Sequence, residues 1–209
     1  MHHKPDHKST LIKLKENERE VRRNLIIDAS VSLFARKPFN QVGMRDIAAE
    51  AGISPASIYR YFADRDELFV EALYREAKVI GKNLEKLLEE NKNASMEKLA
   101  CDFVEYLLDH DTFFQMMSHF MIDGGINETS LARFNEIERY LLNIFDESFA
   151  KIGVKENVRL VSHAFFASLN GILITFRNYP GRDKKEIRKH MLRLASITAG
   201  VFEKGAAGL

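Results

Sequence analysis

Apolar residues return every third or fourth position along nearly the whole chain, and no alternation lasts long enough to argue a strand. Val21, Leu25, Ile26, Ala29, Leu33 and Phe34 make one such stripe. It ends at Arg36 and Lys37, whose charge suits a helix C-terminus, with Pro38 following. Met44, Ile47, Ala48 and Ala51 mark a short second helix stopped by Gly52, and a third begins at Ser54-Pro55. A fourth starts at Asp64, where Asp64 and Glu67 have capping-box spacing, and runs through Leu68, Ala72 and Leu73 toward Leu87 and Leu88. Longer helices follow. They span Ser95 to about His110, Thr112 to Ile122 (ending at Gly124-Gly125), Thr129 to Ile152 (closed by Gly153), Glu156 to Asn178 (closed by Pro180-Gly181) and Asp183 to Lys204. The fold class is all-α: three or four short helices, then five or so long ones.

Composition narrows the class. The 209 residues are 45% hydrophobic and 29% charged, which is globular rather than disordered. A single cysteine, Cys101, excludes an intramolecular disulfide and a cysteine-ligated structural zinc within one chain, so a reducing cytoplasm is the expected home. Met1 to Leu14 lacks the apolar run of a signal peptide. His2, His3 and His7 there either bind a metal or do nothing, and a disordered, silent start is expected. Leu160 to Phe176 has no charged residue but carries Ser162, His163 and Asn170. It reads as a helix buried on nearly all sides rather than a membrane span. Net charge is +1, unevenly spread: eleven Lys/Arg against seven Asp/Glu up to Phe62, and twenty against twenty-three beyond it. A basic first third on a mildly acidic body points to an anionic partner for that third alone.

The segment Met44 to Tyr59 carries the most specific physics. Ala48 is small enough for a second helix to cross closely over the first, and Gly52 takes positive φ at the turn without steric cost. Ile53 packs under the turn, Ser54 caps the next helix, and Pro55 at its first position loses no hydrogen bond. Two helices crossed through a short glycine turn form a DNA-reading motif. Ile58 and Phe62 fall on one face as core, leaving Ala56, Ser57, Tyr59, Arg60 and Tyr61 around the open side. Ala56 suits a thymine methyl, Arg60 a guanine edge or a phosphate, and the Tyr59 and Tyr61 hydroxyls suit phosphate oxygens, as does Arg65 at the next helix start.

From about Ile26 to Ala72 the chain resembles the TetR family of transcriptional regulators. The motifs are Ala29 to Phe34, Asp46-Ile47-Ala48, Ala51-Gly52-Ile53-Ser54, Ile58-Tyr59-Arg60-Tyr61-Phe62 and Asp64-Arg65-Asp66-Glu67-Leu68. The resemblance implies that Ser54 to Phe62 is the recognition helix and that Tyr59, Tyr61 and Arg65 meet phosphates. With Gly43, Arg45, Ser54, Pro55, Ala56, Ser57 and Arg60 these make the expected DNA-binding set. Two positions depart from the family pattern. Pro38 stands where glycine is usual, so the first helix must exit differently. Gly43 stands where a capping Thr or Ser is usual, leaving only its amide for a phosphate. The organisation implied is a flexible arm over 1–18, a three-helix helix-turn-helix domain over 19–65, a helical ligand-binding and dimerisation domain over 66–204, and a tail over 205–209.

One small reading head recognises too few base pairs for useful specificity, so a homodimer on a palindromic operator is expected. Ala164, Ser168, Gly171 and Thr175 form a stripe of small residues, and Ile187, Met191, Leu194, Thr198 and Val201 recur at helical spacing on the last helix. The resemblance implies an interface of four helices from these two segments. The candidate pocket consists of Phe103, Tyr106, Phe113, Phe114, Met117, His119, Phe120, Met121, Phe165, Phe166 and Asn170, where aromatics and pliable methionines suit a small, largely hydrophobic effector and the polar groups its polar end. The same residues serve equally as core. The expected function is a repressor released from DNA by that effector, with no cofactor, metal or membrane partner. A DNA-binding dimer governed by a protein partner, or by no ligand, is the alternative.

An enzyme is the remote alternative. The chain has no Gly-x-x-x-x-Gly-Lys, Gly-x-Gly-x-x-Gly, His-Glu-x-x-His or Gly-x-Ser-x-Gly segment. None of its seven histidines has a glutamate three places before it, as a helical di-iron site requires.

Overall fold

In the computed structural model, residues 7–37, 41–90, 95–122 and 126–206 are described. They form α1 (His7–Phe34), α2 (Met44–Glu50), α3 (Pro55–Ile58), α4 (Arg65–Glu90), α5 (Met96–Asp109), α6 (Asp111–Ile122), α7 (Glu128–Lys151), α8 (Val158–Phe176) and α9 (Lys184–Ala206), with no strand among them. Pro38, the Gly124-Gly125 stop, His2, His3 and the end of the tail at 207–209 lie outside the described residues. The chain divides into two compact units, Met1–Ala72 with Gly125–Ser130, and Leu73–Gly124 with Leu131–Leu209.

In the first unit, Ile26, Leu33 and Phe34 of α1, Ile47 and Ala48 of α2, Ile58, Phe62 and the first turns of α4 form the core. Phe34 meets Phe69 edge-on at 4.3 Å. Each such large apolar side chain taken fully from water contributes about 1.5–3 kcal/mol. Because Leu68, Phe69 and Ala72 belong to this core, the compact unit ends at Ala72 and not at the expected 65/66 boundary. The expected flexible arm over 1–18 needs a larger correction, since α1 is already helical from His7. Residues 10–20 are all exposed, so no core holds this stretch. Helix formers and i,i+4 pairs such as Glu18–Arg22 at 2.6 Å support it.

In the second unit, α5 packs on α8 and α9. Arg188 bridges Glu105 and Asp109, each at 2.5 Å, and the Ser196 hydroxyl donates to Glu97 at 2.7 Å, which ties α9 to α5. The Arg188 pair holds the Asp109 carboxyl below its ordinary range. Phe134, Ile137, Leu141, Phe145 and Phe149 bury one face of α7. Gly81 of α4 faces Tyr140 so closely that an added Cβ would lie 2.2 Å from the ring. The helix over 158–176 is not buried on nearly all sides: Leu160 is 67% and Ile174 is 53% exposed. By length and composition it suffices to cross a bilayer, with 39% of its most apolar window buried. α9 continues to Ala206, past the expected tail boundary.

Candidate nucleic-acid interface

The crossing of α2 and α3 follows from its turn residues. Gly52 adopts φ +67°, and its backbone turn is closed by Ile53 N–H donating to Ala48 carbonyl at 2.9 Å. Ser54 caps α3 by accepting from Ser57 N–H at 3.1 Å, with Pro55 at the first helical position. Ile58 and Phe62 are fully buried. Arg23 holds the far side of Phe62, its guanidinium 4.9 Å from the ring centre while it pairs with Glu71 at 3.1 Å. Ser54, Pro55, Ala56, Tyr59 and Arg60 are left exposed, with Tyr59 at 55%. Ser57 and Tyr61 are half-buried.

The supporting contacts differ in part from the sequence reading. Gly43 N–H donates to Asp46 at 3.0 Å, so this amide is engaged within α2's cap and not held free for a phosphate. That bond, with Lys37 nearby, keeps the Asp46 carboxyl below its ordinary range. Arg45 is exposed. Arg65 is half-buried, lies 3.9 Å from Asp66 and stands 5.4 Å over the Phe69 ring. Arg36 bridges Glu50 at 2.5 Å and so links the end of α1 to α2. At the start of α4, Glu67 N–H donates to Asp64 at 2.8 Å, while the Glu67 carboxylate accepts from Ala63 N–H rather than from Asp64.

This face has a second element, absent from the sequence-based set. Lys15, Glu18, Arg19 and Arg22 of α1 line a concave surface with Arg60 and Tyr61. The Arg22 guanidinium is pushed up by its bond to Glu18 and then by Tyr61. The spacing 15, 19, 22, 26, 29, 33 was legible as one helical stripe, cationic at its start and apolar after.

In the other unit, the candidate pocket residues fall into separate groups. Phe103 and Phe166 lie 5.8 Å apart, and Phe165 joins Phe145, Phe149 and Phe202 through ring contacts of 5.2–5.4 Å. Phe145, absent from the sequence-based set, sits at the centre of this cluster and is fully buried. Tyr106 stacks on His110 at 3.8 Å and meets Phe113 edge-on. Phe114 lies under the Arg177 guanidinium at 4.6 Å, and Met117 is buried. His119 neighbours Phe120, which stacks on Phe134, and Met121 is half-buried. The Tyr106 hydroxyl and the Asn170 Oδ1 are buried without a hydrogen-bond partner. Burial pushes the Tyr106 phenol up to about 12.

Of the candidate interface residues, Ala164, Gly171, Thr175 and Val201 are exposed, and Ser168, Ile187, Leu194 and Thr198 are half-buried. Met191 is corrected: it is completely buried within the chain, because it lies on the side of α9 that faces α5 and α8. Leu160, Ile174 and Ile197 were overlooked, yet each is more than half exposed.

A buried two-helix crossing that presents an open, polar and cationic edge is a helix-turn-helix head of a DNA-binding regulator. Residues 26–72 match the family model of bacterial regulatory proteins of the tetR family. The chain is 44% identical over 55 residues to an uncharacterized HTH-type transcriptional regulator of Haemophilus influenzae, a match covering 26% of this chain and 27% of that protein. It is 27% identical over 161 residues to the fatty acid metabolism regulator protein of Bacillus subtilis, covering 72% and 81% respectively. Its fold is similar to the crystal structure of the transcriptional regulator FadR from Bacillus subtilis in complex with stearoyl-CoA. The TM-score there is 0.67, with 20% identity, covering 87% of this chain and 97% of that one. Residues 26–72 thus carry the N-terminal domain of tetR-family regulatory proteins, and the chain shares the fold of solved transcriptional regulators.

Proposed function

We propose that the chain is a repressor that grips a palindromic operator as a homodimer and releases it on binding a small, largely hydrophobic effector. The observation that carries the DNA reading is the exposure of Tyr59 and Arg60 beside Ile58 and Phe62, which are completely covered. A helix held by one buried face leaves its other face to enter a major groove, where Arg60 reaches a base edge or phosphate and Tyr59 a phosphate.

Dimerisation is supported by the open sides of α8 and α9. Leu160 and Ile174 on the first, and Ile197 and Val201 on the second, are 53–67% exposed. Four large apolar groups in water on two neighbouring helices favour a covering partner, and a second copy supplies the second head a two-fold operator needs.

The effector reading rests on the orphaned Tyr106 hydroxyl and Asn170 Oδ1 amid aromatic rings. Such atoms cost about 1–3 kcal/mol each when unpaired, and a ligand's polar end would satisfy them. The likeness to a regulator crystallised with stearoyl-CoA makes a long-chain acyl thioester the first probe. An effector acts only through its different affinity for the DNA-competent and DNA-incompetent states. The completely buried Phe103, Phe145 and Phe165 favour a second reading, a body without a ligand site whose role is dimerisation.

The test is fluorescence anisotropy of a labelled duplex with the full chain, repeated while stearoyl-CoA is titrated. Binding that weakens steeply with salt and is reversed by the thioester supports the whole reading. Binding indifferent to acyl thioesters leaves the DNA function and removes this effector class. Failure to bind any duplex at low salt removes the function itself.

A further inference from the structure

We infer that the N-terminal half of α1 is a second DNA-backbone grip, with Lys15, Arg19 and Arg22 seating consecutive phosphates of the duplex strand that flanks the recognition helix. This rests on the DNA-binding reading above and extends the contact surface beyond the residues of the family match, which begins at 26.

The stripe of α1 that buries Ile26, Ala29 and Leu33 in the head continues toward the N-terminus as Arg22, Arg19 and Lys15. Where the core ends, the stripe changes to cations over 22, 19 and 15. These side chains do not point away from the reading edge. They share one concave surface with Arg60 and Tyr61, the residues just beyond α3. Four cationic groups line that surface against one carboxylate, Glu18, which is taken by Arg22 at 2.6 Å. Such an excess of positive charge in a concavity attracts a polyanion.

Length also fits. Lys15 to Arg22 spans about 10 Å at about 1.5 Å per helical residue. A strand of duplex offers a phosphate every 3.4 Å or so of axial rise, so long cationic side chains on a segment of this length can reach about two or three of them. The arginines can take phosphate oxygens bidentately and the lysine as a point charge. The exposed, core-free helix over 10–20 would then be ordered for a purpose, as an extension of the reading head along the backbone.

The test uses the full chain and a labelled random-sequence duplex of about 30 base pairs, long enough for roughly three helical turns. Each phosphate neutralised contributes about 0.9 to the slope of log K against log salt. The variant K15Q/R19Q/R22Q is expected to make that slope shallower by about 2–3 per chain. The variant K155Q/K185Q/K189Q, which removes three exposed lysines from the other unit, is expected to leave it unchanged. E18Q, which removes the carboxylate from the same surface, is expected to tighten binding, and it decides the matter should the triple α1 variant fail to fold by circular dichroism. A folded triple variant with the wild-type slope, or E18Q binding no tighter than wild type, overturns the proposal while leaving the recognition helix as reader. A wild-type chain that binds no duplex at any salt overturns the DNA reading beneath it.

Discussion

Ser54 has two consequences that separate cleanly by substitution. Its hydroxyl accepts from Ser57 N–H at 3.1 Å and closes the N-terminus of a helix only four residues long. Ser54→Ala removes that acceptor and is expected to cost about 1 kcal/mol of stability. Ser54→Asp restores an equally good cap and adds a negative charge at a helix N-terminus, so stability stays within about 0.5 kcal/mol of wild type. The same charge faces the DNA if the exposed end of α3 enters a groove. At about 6 Å from a phosphate it is opposed by about 0.7 kcal/mol in bulk water and about 2.8 kcal/mol at an effective dielectric of 20. That is a loss of about 3- to 100-fold in affinity. The two variants should therefore rank oppositely: aspartate above alanine in urea unfolding, and aspartate below alanine in duplex binding at constant salt. If they rank the same way in both assays, this end of α3 does not face the backbone and the geometry proposed for the complex is wrong.

Gly52→Ala is expected to lose about 1–2 kcal/mol, because φ +67° is strained for any residue with a Cβ even where no atom lies within 4 Å. Gly52→Asn should lose less, and urea midpoints compare the two. Gly81→Ala pushes a methyl into the Tyr140 ring and is expected to destabilise by about 1–3 kcal/mol. Made in a Tyr140→Ala background, the same change should become stabilising by about 0.5–1 kcal/mol, the ordinary helix preference of alanine over glycine. Asp109 titrates below its ordinary range because Arg188 donates to it. Its contribution to stability is complete above the unfolded value of about 3.9 and disappears as pH falls through the lower folded value. Asp109→Asn should remove this component, flattening the stability–pH curve measured below about pH 4.

The reading head was legible because its determinants are local. The glycine at 52, the Ser54-Pro55 start and the alternation of Ile58 and Phe62 with polar neighbours each fix backbone or burial within a few residues. The role of the cationic half of α1 was not, since an excess of positive charge in the first third names an anionic partner without saying which cations meet it. Only its place beside Arg60 and Tyr61, more than thirty-five residues later, gives it meaning. Periodicity likewise showed that α8 and α9 are apolar without showing what covers them. Met191 proved to be core, while Leu160, Ile174 and Ile197 are open to water. In the body, aromatic residues read as pocket and as core by the same pattern. Phe145 went unnoticed because nothing in its immediate neighbours marks it as the centre of a cluster.

The central claim is that the edge bearing Tyr59 and Arg60 reads duplex sequence. Its most direct test is binding selection from a random duplex pool followed by sequencing, run with the wild-type chain and with Y59A/R60A. The wild-type chain is expected to enrich an inverted repeat whose half-sites lie about one helical turn or a multiple apart, and the variant to lose that enrichment. No enrichment by the wild-type chain at low salt, or the same motif recovered by the variant, would contradict it.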